Sequence, residues 1–222
     1  MGMNYSKRQS AAAPTGAPVL LSKVTLTKAA PKVSLTKQGS STGMLRVNLN
    51  WNARQPGGGL FKRGGSSIDL NLGCLYEFTE GSKGVVQALG YSFSASPRGV
   101  RENVIRLDGD DRTGSNAAGE NLFINLAYAN QIKRVMVFAL IYEGAANWAA
   151  ADGVVTLFPA SGAQVEVRLD KARTGARICG VAMLESDAAD LSVRREVNYI
   201  KGTQSHLDRA YGWGMNWTSG NK

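Results

Sequence analysis

A single histidine, His206, stands in the 222-residue chain, which leaves no partner for a two-histidine metal centre. The two cysteines, Cys74 and Cys179, have no metal-ligand spacing and specify no disulfide, so a reduced, cytoplasmic protein is the simplest expectation. Long apolar runs are also missing. Nothing approaches the roughly 20 consecutive apolar residues of a membrane-spanning helix, and the longest apolar-rich run, Val135 to Tyr142, reads as a buried strand. No secretory signal is expected, because Pro14, Gly16 and Pro18 interrupt the stretch from Ala11 to Leu21. Acidic residues are absent from positions 1–68, where ten Lys or Arg stand. The rest of the chain carries 16 basic and all 17 acidic residues, so the net charge of +9 belongs to the N-terminal third. That third is read in two ways: as a solvated tail, or as a contact for a polyanion such as nucleic acid or an anionic membrane surface.

What is present is an alternation of period two. Leu45, Val47, Leu49 and Trp51 share one strand face, and Ile68, Leu70, Leu72, Cys74, Tyr76 and Phe78 form a second same-face series. Further strands are expected over 84–93, 103–107, 122–126, 132–142, 154–158, 165–169, 178–184 and 191–200, with Gly, Asn, Asp and Pro clusters between them. Helical patterning is scarce; one short helix is expected from Gln204, limited by Gly212 and Gly214. These features predict an all-β fold, a two-sheet antiparallel β-sandwich with a short C-terminal helix. Residues 1–30 are expected to form a disordered basic tail and residues 31–222 the domain. Within this region Lys23-Val24-Thr25-Leu26-Thr27-Lys28 is echoed by Lys32-Val33-Ser34-Leu35-Thr36-Lys37. One copy is expected to pair into a sheet and the other to lie outside it.

The densest anionic feature is the turn Asp108-Gly109-Asp110-Asp111-Arg112-Thr113-Gly114. Carboxylates so close repel one another and need compensation from a cation or from solvent. A hard cation such as Ca²⁺ takes six to eight oxygens, which carboxylates, hydroxyls and turn carbonyls supply. The spacing is not that of an EF-hand, and a polar hairpin turn with Asp side chains bonding backbone amides remains the other reading. Asp69 and Asn71 lie two residues apart on the non-core face of their strand, so their oxygens project the same way. Glu120 follows just beyond the acidic turn. Glu143 closes the most hydrophobic strand, as a ligand or as a solvated strand terminator.

Other chemistries have weaker support. A Ser-His-Asp triad would need His206, with Asp208 at hand, and no Gly-x-Ser-x-Gly elbow accompanies it. The glycine-rich run Gly59 to Ser66 lacks the lysine of a phosphate loop and precedes a strand. Tyr211, Trp213 and Trp217 lack the basic groove that would accompany base stacking, so they are expected to pack.

Val33-Ser34-Leu35-Thr36-Lys37, Val47-Asn48-Leu49-Asn50-Trp51, Ser67-Ile68-Asp69-Leu70-Asn71-Leu72, Gly109-Asp110-Asp111-Arg112-Thr113-Gly114 and the run from Val135 to Glu143 occur in that order. Together they resemble the TerD-type family of bacterial tellurium-resistance and general stress proteins. The closing segment Leu207 to Met215 resembles its TerA-like branch, and the likeness covers roughly residues 30–217. The resemblance implies a TerD-like β-sandwich without catalytic activity that binds Ca²⁺ through acidic loops. Its motifs fall on Asp69, Asn71, Asp110, Asp111 and Glu120, which together with Asp108 of the acidic turn and Glu143 of the strand end are the expected metal-site residues. It implies work as a scaffold or adaptor in a tellurium-resistance or stress-response assembly. The implied partners are other Ter proteins, a membrane-embedded one included, which would bring a cytoplasmic protein to the inner membrane face. Three segments depart from the family pattern. Asp111 replaces the asparagine of Gly-Asp-Asn-Arg-Thr-Gly, Asn71 replaces the second acid of Asp-Leu-Asp, and Gly119-Glu120-Asn121-Leu122 replaces Gly-Asp-Asp-Glu. The expectation is therefore calcium, at fewer or weaker sites than the pattern provides.

Overall fold

The computed structural model describes residues 23–39, 42–52, 68–108, 119–144, 146–171, 173–187 and 190–218. Thirteen strands and two α-helices follow in chain order among these residues: β1 (Lys23–Thr25), β2 (Lys32–Ser34), β3 (Met44–Asn50), β4 (Asp69–Phe78), β5 (Lys83–Val86), β6 (Ser94–Ala95), β7 (Ile105–Leu107), β8 (Glu120–Asn125), β9 (Ile132–Glu143), α1 (Trp148–Ala151), β10 (Gly153–Phe158), β11 (Gln164–Leu169), β12 (Ile178–Asp187), β13 (Asp190–Ile200) and α2 (Gln204–Tyr211). They form a seven-stranded sheet in the order β1-β11-β10-β3-β8-β7-β6 and a six-stranded sheet in the order β2-β13-β12-β9-β4-β5. Pairing is antiparallel except between β1 and β11. The expected two-sheet sandwich with a short C-terminal helix is the observed fold. No helix among the described residues is long and apolar enough to cross a membrane.

The period-two patterns face the inter-sheet core as their alternation requires. Leu45, Val47 and Leu49 of β3 meet Leu70, Leu72 and Cys74 of β4 there. The six-stranded sheet differs from a simple sandwich leaf because its central strands are buried on both faces. Leu75, Met136, Phe138, Leu140, Ile178 and Met183 form a second cluster, closed by Leu207 of α2 and by Trp213. The continuous run from Val135 to Ile141 is thereby explained, since alternation disappears where both faces are covered.

One buried carboxylate holds the covering layer. Asp208 accepts hydrogen bonds from Gly214 N (2.8 Å), Met215 N (2.9 Å) and Trp217 Nε1 (2.8 Å), folding the C-terminal segment back over α2. Arg134 of β9 completes the attachment. Its guanidinium donates to the Tyr211 and Gly212 carbonyls at the helix end, at 3.1 and 3.2 Å, and lies 3.8 Å over the Trp213 ring. Gly212 ends α2 at φ 63°, as the sequence led one to expect.

Several expectations change. Both copies of the duplicated segment pair, one into each sheet: β1 adds to β11, and β2 adds to β13. The segment expected as tail, residues 1–30, therefore contains a strand, anchored by buried Leu26 and by an ion pair from Lys23 to Glu166. The span 84–93 is a strand only through Val86, because Gly90 (φ 72°) and Tyr91 (φ 55°) turn the chain. The run 1–16, expected as disordered, and the glycine-rich run 59–66 lie outside the described residues. Both cysteines are free and buried, and burial pushes the Cys74 thiol up to about 12 against an opposing bond with the Val86 backbone.

Two stability predictions follow from the covering layer and its supports. Asp208→Ala strands two backbone amides and an indole N–H, so urea unfolding should show a loss of at least about 3 kcal/mol with increased dye binding to the exposed cluster; Asp208→Asn should lose less. Glu77 bonds Lys133 (2.7 Å) and Arg134 (2.6 Å). Burial alone would raise its pKa, but these bonds and charges outweigh it and hold the carboxyl below the ordinary range. A depressed folded-state pKa contributes stability above the ordinary glutamate pKa of about 4.3 and loses it as pH falls through the lowered value. Glu77→Gln should therefore melt below the parent at neutral pH, with the gap closing on acidification.

Candidate metal centre

The starts of β4 and β8 meet at one end of the sandwich. β5 pairs with β4 only from Cys74 onward, so among the described residues the first part of β4 has no strand on that side. Glu120, at the start of β8 in the other sheet, fills part of this gap, its Oε2 accepting the Leu72 amide at 2.5 Å. Its side chain is buried, which ties a carboxylate of one sheet to the backbone of the other. Gly119 makes the approach feasible. At φ +62° it sits so close to β3 that an added Cβ would lie 2.2 Å from the Leu49 carbonyl. Asn48 and Arg46 of β3 then fix the neighbouring residue, both donating to Asn121 Oδ1 at 3.0 and 3.1 Å.

The other sequence-predicted residues fall around this corner at different depths. Asp69 and Asn71 lie on the β4 face opposite the inter-sheet core, as expected, but that face is not solvent: they are 5% and 4% exposed. Both atoms of the Asn71 amide are buried without a hydrogen bond among the described residues. Glu143 is the cross-strand neighbour of Asp69, and its side chain is exposed. Asp108 reaches the same corner through its amide, bonded to the Asn121 carbonyl at 2.8 Å. Its carboxylate is exposed and 3.7 Å from Arg106. Asp110 and Asp111 lie outside the described residues.

Asp69, Asn71 and Glu120 are thus buried oxygen bearers at the starts of β4 and β8, while Asp108 and Glu143 are exposed. A buried amide without a partner costs about 1–3 kcal/mol, so the Asn71 oxygen is a natural ligand for a hard cation. The donor set is oxygen only, which fits Ca²⁺ rather than a thiophilic metal. No group of three or more His, Cys, Asp or Glu side chains poised to hold a metal is found among the described residues. Asn48, Gly119 and Asn121 were not singled out by sequence reasoning. Their roles arise from the crossing of β3 and β8, and a glycine beside a strand-initiating acid was the one available signal.

The alternative sites have structural occupations. His206 belongs to the capping box of α2, its Nδ1 accepting the Thr203 amide at 3.2 Å. Asp208 is engaged in the C-terminal clamp rather than with His206. Trp213 is buried, with its indole donating to the Tyr76 carbonyl at 3.0 Å. Asn147 caps α1, and buried Trp148 donates to the Ala176 carbonyl at 2.7 Å.

No family model matches the chain. A tellurium resistance protein TerA from Alcaligenes sp. is 40% identical over 209 residues, which are 92% of this chain and 60% of that protein. The chain thus spans less than two thirds of the length of this curated relative. The crystal structure of a homologue of telluride resistance protein TerD from Streptomyces coelicolor A3(2) matches with a TM-score of 0.54 and 19% identity. That likeness covers 75% of this chain and 95% of the Streptomyces chain and concerns the fold.

Gly119→Ala should cost at least about 1 kcal/mol from its backbone conformation alone, with the contact against Leu49 added. The urea midpoint measures it. Glu120→Gln, which keeps an acceptor for the Leu72 amide, should cost less; the reverse order would contradict the packing described.

Proposed function

As a homologue of the tellurium resistance protein TerA, this chain is, we propose, a non-enzymatic, calcium-binding scaffold of a tellurium-resistance or stress-response assembly. The observation that carries the reading is the Asn71 amide of β4, buried without a hydrogen bond among the described residues, with buried Asp69 on the same strand and buried Glu120 bonding the adjacent Leu72 amide. Asp69, the Asn71 carbonyl and Glu120 would hold the ion, with Asp108 and Glu143 at the rim and Asp110 and Asp111 from the following loop. A bound Ca²⁺ supplies positive charge and accepts oxygen ligands without redox or acid–base chemistry of its own.

The residues then do two things. Asp69 and Glu120 keep their charge in a buried setting, because a cation compensates it. Glu120 retains its bond to the Leu72 amide and so transmits occupancy of the site to both sheets. An ion held at this end of the sandwich would present a defined surface to partners. Those partners, in this reading, are other Ter proteins, a membrane-embedded one included, with the chain acting in the cytoplasm at the inner membrane face. The engagement of His206 in a helix cap and of Asp208 in a clamp supports a role without catalysis.

Calorimetric titration of chelator-treated protein tests the calcium reading. Heat of binding and a melting temperature that rises with free Ca²⁺ are expected. Asn71→Asp should tighten binding and Asp69→Asn weaken it, each by roughly tenfold, since ligand charge sets affinity. Absence of both heat and stabilisation at millimolar Ca²⁺ would sink the proposal.

A further inference from the structure

A second charged site lies at the opposite kind of feature, a cluster of cations with a single adjoining acid, Asp170. The chain passes from the edge of one sheet to the edge of the other between β1 and β2. Leu26 N bonds the Glu166 carbonyl (3.0 Å) on the seven-stranded side, and Arg195 N bonds the Pro31 carbonyl (2.7 Å) on the six-stranded side. Lys28 stands exposed in the turn between these anchors, which Thr27 closes by bonding Ala30. Lys171 follows β11, its amide 3.4 Å from the Tyr199 hydroxyl of β13. Arg195 occupies β13 next to the irregularity where Val197 adopts φ 44°. Arg173 enters from the turn before β12.

These bonds bring the segments that carry the four cationic residues to one junction of the sheet edges. Lys28 is the dominant neighbour of the Lys171 ammonium, and burial, Arg195 and Arg173 act in the same direction, holding Lys171 below the ordinary lysine range. The charges of Arg195 and Lys171 both oppose the effect of burial on the Cys179 thiol. Nearby carboxylates are committed elsewhere. Glu166 pairs with Lys23 and with Arg168 (3.2 Å), and Glu196 pairs with Arg194 and accepts the Tyr211 hydroxyl at 3.0 Å. Asp170 adjoins the cluster and is exposed, yet makes no ion pair with it within 4 Å among the described residues.

We propose that Lys28, Lys171, Arg173 and Arg195 form a binding site for a compact, multivalent phosphate anion at the junction of the two sheet edges. Like charges converging from three chain segments are unfavourable unless an anion joins them. Two guanidinium forks and two ammonium groups match the oxygens of a phosphate group, with bidentate and point-charge contacts combined. The convergence on one turn, rather than along a groove, favours a small anion over a nucleic-acid strand. The site is distinct from the calcium corner and from a simple basic tail, because three of its four cations belong to the β11–β13 region.

Pyrophosphate in chelator-containing buffer of fixed ionic strength is the probe, applied to the full chain by calorimetry and thermal melting. The parent should bind and melt at higher temperature with pyrophosphate. Lys28→Gln and Lys171→Gln, both at solvent-accessible positions, should melt no lower than the parent without the anion and bind at least tenfold more weakly. Arg101→Gln, outside the cluster, should behave as the parent. Pyrophosphate binding equal in parent and Lys28→Gln/Lys171→Gln double variant would overturn the site. So would binding of phosphatidylserine vesicles or single-stranded DNA through these residues with no response to pyrophosphate, because the ligand would then be a surface or a polymer.

Discussion

The bond between the Glu120 carboxylate and the Leu72 amide joins the two sheets where the sandwich is otherwise open. β5 does not reach that part of β4, so a backbone donor is left facing a gap. A charged acceptor satisfies it strongly but brings a buried negative charge to the corner. Asp69 adds another, and Asn71 adds an amide that makes no hydrogen bond among the described residues. The calcium reading proposed above would add positive charge where the sheet edge is closed, placing structure and function in the same few residues.

The rest of the fold holds that corner in place. β3 passes behind it, and its Asn48 and Arg46 pin Asn121, while Gly119 allows the chain to turn tightly against Leu49. On the other side, β4 contributes Leu75 to a second hydrophobic layer under α2 and the C-terminal tryptophans. That layer depends on Asp208 and Arg134, two charged residues that anchor backbone rather than act on a ligand. Burial on both faces leaves Asp69 and Asn71 little room to seek water.

Much of this was legible in residue order. The alternation in Leu45–Trp51 and Ile68–Phe78 specified strands and their inward faces, and Gly212 marked the helix end. The opposite face of β4 was not legible as buried. Alternation identifies which side chains share a face, but not whether distant parts of the chain cover that face. Asp69 and Asn71 therefore read as outward and proved to be covered. The duplicated Lys-Val-Thr and Lys-Val-Ser segments misled for a related reason: similar local patterns carry no information about which sheet edge each copy meets. Glu120 was found as a candidate, yet its bond to Leu72 depends on the missing length of β5, a tertiary circumstance. The cation cluster is likewise assembled from positions 28, 171, 173 and 195, which no local motif links.

The side-chain amide of Asn71 offers the most direct test of the central claim. Its two Nδ2 hydrogens give a resolved pair in a nitrogen–proton correlation spectrum, assignable by their loss in Asn71→Asp. The account predicts that this pair shifts progressively and saturates as Ca²⁺ is added to chelator-treated protein. A pair that stays unmoved at millimolar Ca²⁺, while the protein remains folded, would contradict calcium binding at this corner.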